Sequence, residues 1–395
     1  MVSSWKNKKL GELTSYISKG IPPKYVEEVS DKTIRVLNQK CNRNFKISYN
    51  ESRLHDCSKK KVTDEKLLRI GDVLINSTGV GTAGRVAQLW DVTTPTTFDG
   101  HMILLRPSSE IDSMYYGYAI KSLQREIESL AEGSTGQTEI NRQRLLDEIV
   151  ISYPESLHEQ QLIGKILYDI DEKIQINSSI NDNLEKQAQA LFEQRFIING
   201  IDGDEKPLYD FADYINGAAF KPYECGDLGV PIIKIAELKN GITESTRYFD
   251  GSKDEKYYIQ DKDILFSWSG NPETSIDIFI WTNGKAILNQ HTFNVKSNTN
   301  HRWFTYTLLK HFKPQFKHIA SNKQTTGLGH VTANDLKRLT FIFNASVIES
   351  FEQEVYPFLE MLYQNIKENH SLVQLRDSLL SKLMSGEIDV STINI

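Results

Sequence analysis

The side chains best suited to chemistry lie in short loops rich in Gly, Ser, Thr, Asn and Lys. In the first half of the chain these are Asn76-Ser77-Thr78-Gly79-Val80-Gly81 and Gly133-Ser134-Thr135-Gly136-Gln137. In the second half they are Trp268-Ser269-Gly270-Asn271 and Asn322-Lys323-Gln324-Thr325-Thr326-Gly327. Turns at Lys19-Gly20 and Lys221-Pro222 lie near the start of each half, and Arg85, Lys234, His101 and His291 are further candidates. These groups give and take hydrogen bonds but hold no evident nucleophile. That suits recognition of a charged polymer such as DNA, where phosphate contacts supply affinity and base-edge contacts supply sequence choice. The same composition also makes ordinary turns, in which Gly and Asn supply positive φ. A repeated histidine can read a base edge or a phosphate, and it can equally be a satisfied structural residue.

Other chemistries find less support. Gly79-Val80-Gly81-Thr82-Ala83-Gly84 matches the spacing of a dinucleotide loop, but that reading requires a helix directly after it. The next residues are instead Arg85-Val86-Ala87 and a Thr-rich stretch with Pro95, and the second half lacks the pattern. Asn271-Pro272-Glu273-Thr274 begins like the Asn-Pro-Pro-aromatic motif of amino-methyltransferases but lacks its second proline and its aromatic. No phosphate loop of the G-x-x-x-x-G-K-[ST] type occurs. Cys41, Cys57 and Cys225 are too scattered for a disulfide framework or a zinc site. The carboxylates form no convincing metal cluster, so no catalytic residue, metal or bound cofactor is expected.

The elements that position the loops repeat at about 190 residues. Gly71-Asp72-Val73-Leu74-Ile75 is echoed by Lys262-Asp263-Ile264-Leu265-Phe266, Gly79 by Gly270, His101 by His291, Thr135-Gly136 by Thr326-Gly327, and Leu145 by Leu336. At the start of each half, Leu10-Gly11-Glu12-Leu13 corresponds to Leu208-Tyr209-Asp210-Phe211, and Lys19 and Pro22 to Lys221 and Pro222. Each half opens with a mixed part. β-rich runs are expected at Val73–Asn76, Met102–Leu105, Ile149–Ser152, Ile232–Ile235, Ile264–Trp268 and Thr340–Phe343. One helix is expected in each mixed part, at Ser113–Glu132 and His301–Ser321.

Each half closes on a helix. Ile163, Leu167, Ile170, Ile174, Asn177, Asn181, Leu184, Ala188 and Leu191 alternate four and three apart, a heptad seam. Phe351, Val355, Phe358, Leu362, Asn365, Asn369, Leu372, Arg376 and Leu379 repeat it, each 188 residues later. Both seams carry Asn at the same two central positions, and a buried Asn fixes register at a cost in stability. We expect the helices to pair with each other, antiparallel because a whole domain lies between them. Pro357 falls inside the second run and is expected to kink or restart that helix.

The fold expected is α+β: two similar mixed α/β domains separated by two long helices that form an antiparallel coiled coil. The parts are 1–155, a central helix within 156–199, a second domain at 200–345 and a closing helix within 346–390. A helix of about 36 residues is roughly 55 Å long, against about 34–36 Å for one turn of B-DNA. Such a pair could set two domains on one duplex more than a turn apart, each reading its own half-site.

Charge follows the same division. The formal net of −6 argues at first against nucleic acid, but 1–155 and 207–345 each carry +2, while 156–206 and 346–395 each carry −5. DNA binding needs a local basic surface and not a basic whole. No apolar run approaches the roughly 20 residues that span a bilayer, and Met1–Leu10 does not read as a secretory signal. A cytoplasmic protein is expected.

The order domain, helix, domain, helix resembles the specificity subunits of type I restriction-modification enzymes. The local features that carry the resemblance are Trp5 with Leu10-Gly11-Glu12, the Gly71-Asp72-Val73-Leu74 strand and the Gly133–Gln137 loop. They continue with Tyr153-Pro154, Glu159-Gln160, Leu167 with Asp171-Glu172-Lys173-Ile174, and the terminal run from Leu379-Leu380 to Gly386-Glu387-Ile388. The second half departs where Leu328-Gly329-His330 replaces Gln137-Thr138-Glu139-Ile140 and where Pro357 enters the helix. The resemblance implies two target-recognition domains, a bipartite asymmetric target on double-stranded DNA, and docking of two methyltransferase subunits and then restriction/translocase subunits. It places S-adenosylmethionine on the methyltransferase partner. Two other readings are a non-DNA coiled-coil scaffold spacing two interaction domains, and a self-sufficient DNA-modifying enzyme.

Overall fold

The computed structural model describes residues 4–133, 138–323 and 328–391. The described chain divides into two compact units. One runs to Glu172 and resumes at Gln374, and the other is Lys173–Val373.

In the first unit the central antiparallel sheet is built from β1 (Thr14–Lys19), β2 (Val73–Asn76), β3 (Val86–Gln88) and β4 (Met102–Pro107), in the order β1-β4-β2-β3. Every residue of β2 is buried. Its alternate side chains enter two different cores, as a strand covered on both faces requires. Val73 and Ile75 join Ile103, Leu105 and the tyrosines Tyr115, Tyr116 and Tyr118 of helix α1 (Ser113–Ser122). Leu74 joins Leu37, Phe98, Met102 and Leu104 on the other side. A smaller sheet covers that side, with Thr96–Phe98 parallel to Thr33–Leu37 and Arg53–Asp56 antiparallel to it. Trp5–Lys9 pairs antiparallel with Val150–Pro154.

The helix expected at Ser113–Glu132 is broken at Leu123 (φ −95°, ψ 10°); a second short helix occupies Gln124–Ser129, and Ala131–Glu132 is a strand. At the break Gln124 turns its Oε1 to accept the N–H of Val86 (3.1 Å) at the edge strand β3. A tertiary hydrogen bond thus interrupts a run that local propensity would continue.

The second unit repeats the plan. β5 (Ala212–Asn216), β6 (Ile264–Ser267), β7 (Asp277–Ile280) and β8 (Thr292–Ser297) form a sheet in the order β5-β8-β6-β7. Ile264 and Phe266 enter one core with Phe304, Phe312 and Phe316 of helix α3 (Arg302–Asn322). Leu265 enters the other with Ile233, Ile259, Trp281 and Leu288. Val230–Ile233 is a strand, but Ile235, expected to extend it, opens a short helix capped by Glu237. Asp204–Pro207 pairs antiparallel with Thr340–Phe343, as the terminal strands do in the first unit.

The unit boundaries fall inside two long helices, Leu157–Phe192 (here α2) and α4 (Ala345–Met384). Within the second unit Asn177 Nδ2 donates to Asn369 Oδ1 (3.0 Å) and Glu368 Oε2 (2.7 Å), and Asn365 Nδ2 donates to Asn181 Oδ1 (3.0 Å). One number rises as the other falls, so the helices run antiparallel. Within the first unit Arg376 Nη1 donates to Asp171 Oδ1 (2.7 Å) in the same sense. The four asparagines pair crosswise, each with the counterpart of its neighbour. Helix α4 runs through Pro357 without a break. Pro357 is exposed, and so is Gln353, whose carbonyl would have taken the missing N–H bond. Water can satisfy that carbonyl, and the buried Phe351, Val355 and Leu359 hold the inner face.

Candidate nucleic-acid interface

In the first unit the end of the sheet where β1 and β2 finish and β4 begins gathers polar side chains from four separate segments. Lys19, the last residue of β1, forms an ion pair with Glu139. Glu139 lies on a returning segment whose backbone bridges antiparallel to Thr78, in the loop after β2. The Thr78 hydroxyl is 2.8 Å from Nδ1 of His101, which immediately precedes β4, and 3.5 Å from Gln39 Oε1. His101 is exposed, while Lys19 and Glu139 have about a third and a half of their side-chain surface exposed.

The rest of the loop holds this arrangement in place. Asn76 is buried, accepts from Asn42 Nδ2 (3.2 Å) and donates to the Gln39 carbonyl (3.2 Å). Ser77 is buried, and its backbone links the His101 carbonyl (2.8 Å) to the Ile140 N–H (2.8 Å). Gly79 has φ 113°, a conformation that favours glycine. Arg85 turns back to the Gly81 carbonyl (3.0 Å), closing the loop. Gly20 is required for a different reason: a Cβ there would collide with the Asp99 and Phe98 carbonyls.

Cations cluster beside Lys19. Lys66 Nζ donates to the Lys19 carbonyl (3.0 Å). Its pKa is pulled down by burial and then by repulsion from the Lys60 ammonium and the Arg142 guanidinium. Three cations close enough to repel make a local field that attracts phosphate.

The second unit places the same frame differently. Gly217 has the role of Gly20, since its Cβ would meet the Asn289 and Leu288 carbonyls, and Ala218 bridges parallel to Asn289 as Ile21 bridges to Asp99. The counterpart of Lys19 is therefore Asn216 and not Lys221. Matching Lys19 and Pro22 to Lys221 and Pro222 misplaces the loop, because Lys19 ends its strand whereas Lys221 lies beyond the strand that Asn216 ends. Ser269 pairs antiparallel with His330 as Thr78 does with Glu139. Trp268 Nε1 donates to Asn216 Oδ1 (3.1 Å), and the Trp268 ring lies 5.5 Å from Phe293 and 5.9 Å from the exposed His291. Asn271 caps the short helix Pro272–Ser275 through the N–H groups of Glu273 and Thr274. Lys323 is paired with Asp335, and Asn322 Nδ2 is 3.0 Å from His318 Nε2. Lys221 and Lys234 are exposed, and their backbones are held by Glu224 and Glu237. Ser134, Thr135, Gln137, Gln324 and Thr325 lie outside the described residues.

Of the residues singled out in the sequence, Lys19, Thr78 and His101 come together at one sheet end and Trp268, Ser269 and His291 at the other; Gln39, Glu139, Asn216 and His330 stand beside them without having been singled out. The cations Lys60, Lys66 and Arg142 were not singled out either, although Lys59-Lys60-Lys61 is a visible basic run. Among the described residues no group of His, Cys, Asp and Glu could hold a metal ion. The arrangement offers hydrogen bonds and charge.

A family model described as "Type I restriction modification DNA specificity domain" matches residues 2–186 and again 202–371. The chain belongs to this family. The match is duplicated, as the two units are. The specificity-family chain is 26% identical over 315 residues to the type I restriction enzyme MjaIX specificity subunit of Methanocaldococcus jannaschii, covering 70% of this chain and 69% of that one. Its fold is similar to the crystal structure of a type I restriction-modification S subunit from M. genitalium, with TM-score 0.57, 18% identity and 96% of each chain covered. No described helix is long and apolar enough to cross a membrane.

Proposed function

We propose that this chain chooses the DNA sequence for a type I restriction-modification complex and leaves the chemistry to its partners. The observation that carries the reading is that both units build the same sheet-end frame and furnish it with different side chains. Lys19, Thr78, His101 and Glu139 stand where the other unit has Asn216, Ser269, His291 and His330. Like frames with unlike donors suit a bipartite, asymmetric target with one half-site per unit. Thr135, Gln137, Gln324 and Thr325 adjoin the frames in sequence and belong to the proposed reading surface.

The helix pair would fix the gap between half-sites and offer its outward acidic faces to two methyltransferase subunits, with restriction/translocase subunits joining them. S-adenosylmethionine would then be held by the methyltransferase. Such a complex would work in the cytoplasm. The test is a methylation map. The chain is co-expressed with the methyltransferase encoded beside it in a host lacking background methylation, and the DNA is sequenced by a modification-sensitive method. A bipartite methylated motif that disappears when this chain is omitted is the expected result. A soluble complex that leaves no new methylation would count against the reading.

A further inference from the structure

The side chains at matched positions of the two frames differ in a way that complements different base pairs. In the major groove G·C presents, in order, two acceptors (guanine N7 and O6) and one donor (cytosine N4–H). A·T presents acceptor, donor, acceptor (adenine N7, adenine N6–H, thymine O4). The ammonium of Lys19 only donates and the carboxylate of Glu139 only accepts, and the two touch. An ammonium beside a carboxylate satisfies all three groups of G·C. Against A·T it leaves thymine O4 facing a carboxylate with no donor.

At the matched positions of the other unit stand Asn216 and His330, both exposed. An asparagine amide donates to N7 and accepts from N6 of adenine, and a histidine N–H donates to thymine O4. That pattern fits A·T. Asn216 is also held in orientation, because Trp268 Nε1 donates to its Oδ1 (3.1 Å); that takes one of the oxygen's two lone pairs and leaves the other, with Nδ2, for adenine. The unit with Lys19 keeps its pair next to an open cleft lined by Ile17, Lys19, Glu139, Asn141, Arg142 and Gln143.

We propose that Lys19 with Glu139 reads a G·C pair in one half-site, and that Asn216 with His330 reads an A·T pair at the equivalent place in the other. The proposal rests on the sequence-recognition reading above and adds which residues make the choice and what they choose.

The test is selection of bound duplexes from a random DNA pool by the purified full-length chain, followed by sequencing. The comparison is with two exchanges, K19N/E139H and N216K/H330E. The first exchange should convert one position of one half-site from G·C to A·T, and the second should convert one position of the other from A·T to G·C. Each should shift preference at its position by roughly 5- to 150-fold, the range of one bidentate contact, and leave the remaining positions as in the wild type. The exchanges lie in different units, so one that fails to fold leaves the other to decide. An unchanged motif in a variant that still binds would overturn the proposal while leaving the recognition function intact. A wild-type chain that selects no motif would remove the recognition function and the proposal together.

Discussion

Lys121 sits 3.6 Å from Asp171 and 4.5 Å from the centre of the Phe45 ring, with about a seventh of its side chain exposed. Burial, partly offset by the Asp171 charge, pulls its pKa down to about 8 from the ordinary 10.5. Between those values the unfolded chain binds more protons than the folded one, so this group makes stability rise with pH across that window. Denaturant unfolding from pH 8 to 10 should show wild type gaining on Lys121→Met. A constant difference would contradict it. Asp171 behaves in the opposite way. Burial pushes its carboxyl up, but the charges of Lys121 and Arg376 and hydrogen bonds from Arg376 and Tyr118 leave it below the usual aspartate range. Its contribution is therefore present above the ordinary aspartate pKa and lost as pH falls through the folded value. Asp171→Asn should cost about 3–5 kcal/mol near neutral pH, the range for breaking a buried pair, and the deficit should shrink in acid. For the cations near Lys19, Lys66→Ala or Arg142→Ala should lower the slope of log affinity against log salt by about 1 for each phosphate no longer neutralised. The selected motif should stay the same, and a slope that does not move would remove that residue from the interface. The sequence made Lys19, Thr78 and His101 legible because strand ends and Gly-rich turns mark themselves locally. Glu139 joins its frame through a backbone bridge to Thr78 and Asn216 through a side-chain bond from Trp268, and neither residue's neighbours in sequence announce that pairing.

At the scale of elements, strands were the most legible, since the fully buried Val73–Asn76 and the partly buried Thr340–Phe343 occupy the residues their apolar runs indicated. The seam was legible too, because nine positions repeated it. The partner of each asparagine was not, since a repeat at 188 matches Asn177 to Asn365, whereas antiparallel pairing joins Asn177 to Asn369. That crossing dictates the experiment. Asn177→Leu alone leaves Asn369 and Glu368 without their donor in a half-buried site and should cost about 1–3 kcal/mol. Adding Asn369→Leu removes the amide partner as well, while Glu368 keeps its ion pair with Lys173, and should restore part of that loss, by the asymmetry between orphaning a group and removing it. A double-mutant cycle in urea measures the coupling, and simple additivity would sink the claim. Pro357 shows the limit of a local rule: loss of one N–H is cheap where the orphaned carbonyl faces water and the opposite face is packed.

Across the whole molecule, the charge profile of +2, −5, +2, −5 follows the division into sheet domains and helices, so the overall −6 says little about what each part binds. The repeat carried the fold class because two copies of one pattern discipline each other. What no repeat can supply is the gap between the proposed half-sites, which on that reading would be set by the length of the paired helices. Removal of residues from a helix shortens it by about 1.5 Å each and rotates the remainder of the helix by about 100° each. A deletion of seven, one heptad, keeps the seam facing its partner. Deleting 174–180 from α2 together with a matching heptad of α4, 366–372, removes two asparagines and leaves Asn181 and Asn365, which already pair with each other. About 10 Å of helix is lost, or roughly three base pairs of duplex, since about 34–36 Å makes a turn of 10–10.5 pairs. A motif map of this variant should keep both half-sites and shorten the gap between them. A four-residue deletion in α2 alone rotates the seam by a net of about 40° and puts it out of register with the uncut α4, and it should shorten the gap or abolish binding. If the heptad deletion leaves the gap as it was, the helices do not set the spacing, and each unit must find its half-site independently of their length.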